Sequence, residues 1–177
     1  MDVPSPPPRW TFPVCGPRVR ASVGLVAWCG LAAGLVWLPG DEMAAPVLFV
    51  AALVASVAVH EAAHAWAAHS LGYRVDWVVI GGLAGLTAFA GRDDRPLERA
   101  AVALAGPAAS AALVLALVGV RATLGPGSVE VAMVEFVIAL NALAVVVNLV
   151  PVGHTDGALV VRGLFHHARS RRRGPPG

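Results

Sequence analysis

Four apolar stretches, near residues 21–38, 44–71, 97–120 and 131–150, are set off by short polar segments. The last three reach the ~20 residues a helix needs to cross the hydrocarbon core, and 21–38 is long enough to serve as a membrane anchor. The segment 74–91 reads differently. Val75, Trp77 and Val79 alternate with other residues, Gly81 and Gly82 follow, and a second apolar run comes after. This predicts a short interfacial β-hairpin between the second and third spans. Asp93 or Asp94 is placed to cap the third helix, with Pro96 and Glu98 in its first turn. The expected fold is therefore all-α: a polytopic membrane protein of about four transmembrane helices and one hairpin.

The flanks differ in character. Residues 1–20 hold six prolines and three arginines, which predicts an extended or disordered tail. A secretory signal peptide fits poorly, since the polar region is long and no small-residue cleavage site follows the apolar run. Residues 21–168 then form one membrane domain, and 169–177 a second, basic tail.

Composition agrees with the pattern. The chain is 57% hydrophobic and 14% charged, against about a quarter charged in soluble domains. A net charge of +2 gives no reason to expect a nucleic-acid partner. All thirteen basic residues are arginine, as in proteins of GC-rich genomes such as those of actinobacteria. Cys15 and Cys29 fall at different depths and offer no disulfide framework. With both termini in the cytoplasm, twelve of the thirteen arginines lie inside and only Arg121 outside. The positive-inside rule then predicts a multi-pass protein of the bacterial cytoplasmic membrane with that orientation.

The second span carries the chemistry. It contains His60-Glu61-Ala62-Ala63-His64, an H-E-x-x-H pattern. Positions i and i+4 stand about 40° apart around a helix and one turn along it, so two imidazoles can share one zinc ion. Glu61 is then placed as general base. Ionisable groups in a span cost about 2.5–3.5 kcal/mol each even on lenient insertion scales, so they persist where they pair or act.

Two histidines leave zinc short of a protein ligand. Downstream runs Asn148-Leu149-Val150-Pro151-Val152-Gly153-His154-Thr155-Asp156-Gly157. An H-E-x-x-H helix followed by N-x-x-P-x-x-x-x-D-G resembles the site-2 proteases, polytopic zinc enzymes that cut the transmembrane segments of other proteins. Ala105-Gly106-Pro107 is similar to that family's A-G-P element, and Asn141-Ala142-Leu143-Ala144 also fits. The likeness runs from about residue 47 to 164. It implies one catalytic zinc held by His60, His64 and Asp156, with Glu61 as catalytic base and Asn148 near the scissile bond. Asn148 could instead serve as an interhelical hydrogen-bonding residue. The implied partners are the lipid bilayer and a single-span membrane protein substrate. An inactive relative that binds such proteins without cutting them is the alternative.

The chain also departs from the family pattern. The usual proline-rich stretch and leucine before the aspartate are replaced by Val152-Gly153-His154-Thr155. His154 reads as an interfacial histidine, with a ligand or substrate contact as the other reading. His69 lies some 140° around the helix from His64 and reads as structural. Nothing resembles the PDZ or CBS domains that many relatives carry, so the likeness is to a minimal form. The 74–90 segment could hold an unwound substrate by strand addition, or be a passive loop. The arginines at 171–173 fit the positive-inside rule and contact with anionic lipid. Glu130 and Glu135 are possible third ligands in other H-E-x-x-H membrane proteases, but both fall at the outer end of their span.

Overall fold

The computed structural model describes residues 11–12, 18–21, 26–27, 29–31, 33, 44–80, 86–90 and 95–172. Most of the expected anchor at 21–38 lies outside the described residues, although 26, 27, 29–31 and 33 are helical. Asp93 and Asp94 also lie outside them.

Among the described residues, three helices are long and apolar enough to cross a membrane: Pro46–Ser70, Pro96–Arg121 and Glu130–Leu149. They belong to α1 (Ala44–Ser70), α2 (Pro96–Arg121) and α3 (Val129–Leu149). Their ends follow local chemistry. Gly72 adopts φ +81°, and the bonds Gly72 N to His69 O and Tyr73 N to Ala68 O close α1 in a Schellman motif. Pro96 occupies the first turn of α2, where its missing N–H costs nothing, and the N-cap is Arg95 with no side-chain cap bond. Ser128 caps α3 by accepting from Val131 N. Beyond α3 the backbone turns extended at Val150, and Pro151 cannot continue the helix.

A further helix, α4 (Asp156–Arg172), was not expected. The apolar pattern ends at residue 150, and α4 is interrupted by arginines and histidines, so hydropathy does not reveal it. It takes in the first residues of the expected basic tail. Gly163 brings α4 close to the start of α2, where a Cβ would lie 2.6 Å from Pro96 O.

The segment after α1 also differs from a lone hairpin. Strands β1 (Thr11–Phe12), β2 (Arg18–Ala21), β3 (Arg74–Ile80) and β4 (Leu86–Ala90) form one sheet in that order. β3 pairs antiparallel with β4, with a register shift between Val75 and Trp77. On its other side β3 pairs parallel with β2, and β2 pairs antiparallel with β1. Parts of the expected amino-terminal tail are therefore sheet strands. Such long-range pairing leaves no trace in local periodicity.

Side-chain contacts give the relative directions of the spans. His60 and His64 of α1 meet Ser110 and Val102 of α2, so these two helices run antiparallel. Phe49 meets Phe136, and Ser56 meets Asn141, so α1 and α3 run parallel. Arg121, at the end of α2, pairs with Glu135 of α3 at 2.7 Å.

Candidate metal centre

His60, Glu61 and His64 fall in the buried middle of the bundle, and Glu61 is only 2% exposed. One stripe of α2 faces them. Val102, Gly106 and Ser110, at i, i+4 and i+8, run opposite to His64 and His60. The Val102 carbonyl accepts from His64 Nδ1 at 2.8 Å. A carbonyl cannot donate, so this Nδ1 carries the proton and a neutral His64 presents a lone pair at Nε2. His60 Nδ1 lies 3.1 Å from Ser110 Oγ. Gly106 sits between these two contacts and passes close to both rings.

Asp156 arrives from the other end of the chain. Gly153, at φ +61°, turns the backbone after Pro151. Thr155 caps α4: its Oγ1 accepts from Ala158 N at 3.3 Å and donates to Val150 O at 2.5 Å. Arg162 reaches back from α4 and donates to the Gly153 and Ala158 carbonyls. Gly157 is close-packed, since a Cβ there would collide with the Leu149 carbonyl. These contacts set Asp156, the first residue of α4, against the two histidines.

The three donor atoms form a nearly equilateral triangle. His60 Nε2 is 3.2 Å from His64 Nε2, and Asp156 Oδ2 is 3.3 Å from His60 Nε2 and 3.4 Å from His64 Nε2. Ligand atoms at about 2.0–2.1 Å from a tetrahedral zinc ion stand ~3.3 Å apart. Hard carboxylate with neutral imidazole is also a donor set that suits zinc.

A cavity opens beside the triangle, lined by His60, Glu61, Ser110 and Asn148 at its polar end and by Val57, Leu140, Ala144 and Val147 along its walls. Asn148 is 6% exposed, and its carboxamide hydrogen-bonds to none of the described residues. Asn141 is different: it donates to Ser56 Oγ at 3.0 Å and to Val137 O at 2.8 Å. His154 and His69 are exposed and stand apart from the triangle. Thus His60, Glu61, His64, Asp156 and Asn148 come together. Sequence reasoning reaches Gly106 only through the A-G-P element, and it does not reach the contacts that Gly106 and Ser110 make with the histidines. The spacing of Gly106 and Ser110, one turn apart, was the available signal.

The sequence profile of peptidase family M50 matches residues 48–126. A protein of Mycobacterium tuberculosis, described as a candidate zinc metalloprotease and named Rip3, is 32% identical over 131 residues, or 69% of this chain. The same match recurs in a second strain. The chain is therefore similar to peptidase family M50, the family of the site-2 proteases, across the span that carries its H-E-x-x-H helix. It spans about a third of the length of those curated relatives, 32%. The fold of the chain is similar to that of the site-2 protease of Methanocaldococcus jannaschii. That structure aligns with a TM-score of 0.69 at 16% identity, over 88% of this chain and 72% of the other.

Proposed function

We propose that this protein is an intramembrane zinc endopeptidase that hydrolyses peptide bonds within or beside the transmembrane segments of single-span membrane proteins. The observation that carries the reading is the triangle of His60 Nε2, His64 Nε2 and Asp156 Oδ2 at 3.2–3.4 Å, with Glu61 buried between the two histidines in sequence. Outside a metal site, three such groups gathered inside an apolar helix bundle would be costly to keep.

His60, His64 and Asp156 would hold the ion. Bound zinc supplies Lewis acidity, which lowers the pKa of water and polarises a carbonyl. Glu61 takes the proton of the attacking water and delivers it to the leaving amine. Asn148 directs its carboxamide N–H toward the oxygen on which negative charge grows. The apolar walls of the cavity receive a side chain next to the scissile bond. The substrate helix must unwind there, because its carbonyls are otherwise satisfied within the helix.

The arginine distribution supports a bacterial cytoplasmic membrane location with the metal centre toward the cytoplasmic side, where water can reach it. The test is cleavage of a model single-span substrate by the wild type and by Glu61→Gln. The reading requires zinc in both and at least a ~100-fold slower reaction in the variant. Zinc without cleavage by the wild type over several substrates would favour a protein that binds membrane segments without cutting them.

A further inference from the structure

The two histidines are anchored unequally, and the difference singles out one residue. His64 Nδ1 is held by a backbone carbonyl, that of Val102, which no substitution removes. His60 Nδ1 is held by a side chain, the hydroxyl of Ser110, at 3.1 Å. We infer that Ser110 is the positioning residue for His60: its Oγ fixes the plane of the imidazole and accepts the Nδ1 proton, so that the Nε2 lone pair faces the metal. This rests on the zinc reading above.

Three observations support it. Ser110 is 1% exposed, so no bulk water competes for its hydroxyl. Its Oγ makes no other side-chain hydrogen bond among the described residues, not even the backward bond to its own helix that serines in helices often make. It stands four residues after Gly106, on the α2 stripe whose other members contact the same two rings.

The hydroxyl also suits both states of the ring. Without metal it can donate to Nδ1, leaving Nε2–H to face Asp156 Oδ2 at 3.3 Å. With metal it must accept, because Nε2 then needs its lone pair. In that state the hydroxyl proton turns toward the cavity that Ser110 lines with Glu61 and Asn148. Alanine could serve neither state. The carbonyl that holds His64 admits only one.

The test compares wild type, Ser110→Ala and Ser110→Thr as purified full chains, using zinc alone as ligand against a competing chelator. Cobalt substitution gives a spectroscopic readout, and melting of the metal-free proteins reports packing. Loss of this kind of partner costs about 10–100-fold in metal affinity. We expect that loss in Ser110→Ala, with a shifted cobalt d–d spectrum and unchanged metal-free melting. Threonine, which keeps the hydroxyl, should restore the affinity. If threonine itself lowers metal-free melting, the alanine comparison decides. Equal zinc affinity and an unshifted cobalt spectrum in Ser110→Ala would overturn the inference. So would a fall in affinity matched by a fall in metal-free melting, which is packing. Failure of the wild type to bind zinc would instead overturn the metal reading itself.

Discussion

Gly106 approaches His60 so closely that a Cβ built on it would fall 2.5 Å from the imidazole Nε2, and closer still to that of His64. The backbone of α2 therefore occupies the space beside the metal-facing nitrogens, and only a residue without a side chain fits. Gly106→Ala should displace both rings. Overpacking of this kind costs about 1–3 kcal/mol. Metal analysis of the purified variant should show zinc largely lost while the helical circular dichroism is retained.

Asn148 yields the opposite pairing of effects. A buried carboxamide that hydrogen-bonds none of the described residues is a net cost to the fold, so a leucine there should be neutral or stabilising by about 1–3 kcal/mol. The same change should lower kcat by about 10²–10³ if the amide serves the developing oxyanion. Chemical denaturation and cleavage assays of Asn148→Leu measure both. A destabilised but active variant would assign Asn148 to packing.

Gly157 tests the approach of α4. A Cβ at this position meets the Leu149 carbonyl, a rigid backbone atom. Gly157→Ala should move the start of α4 and Asp156 with it. We expect a zinc affinity at least ~10-fold weaker, since misplacing one ligand acts like loss of its support. Competition with a chelator gives the number.

Tyr73 carries a pH prediction away from the metal. Its hydroxyl donates to Glu98 Oε2 at 3.2 Å, tying the end of α1 to the start of α2. Burial pushes the phenol pKa up, and the Glu98 hydrogen bond and charge push it further. A raised pKa means the stabilisation is fully present below the unfolded tyrosine value of about 10, and is lost as pH rises through the folded value. Tyr73→Phe should therefore destabilise by about 1–2 kcal/mol at neutral pH and by less in strong alkali. Denaturation of both proteins at neutral and alkaline pH measures the difference.

Much of the site could be read directly because its signals are local. The i, i+4 spacing of His60 and His64 places two imidazoles on one face of any helix, and the length of the apolar run makes that helix long. The bounds of α2 and α3 likewise lay within two residues of the hydrophobic pattern, because Pro96, Ser128 and Pro151 act on their immediate neighbours. Asp156 was reachable only through resemblance, since its approach depends on a turn at Gly153, a Thr155 cap and an Arg162 contact. The pairing of β2 with β3 joins segments more than fifty residues apart, and nothing in residues 18–21 announces a distant partner. Helix α4 escaped because charged residues break its apolar periodicity. Ser110 escaped because a serine among alanines looks like packing until the ring it faces is known.

The most direct measurement of the central claim is the zinc content of the purified full chain, wild type beside Asp156→Ala and His64→Ala. The account predicts one zinc per wild-type chain and a large loss in both variants. A wild-type chain that binds no zinc, or variants that keep a full equivalent, would contradict it.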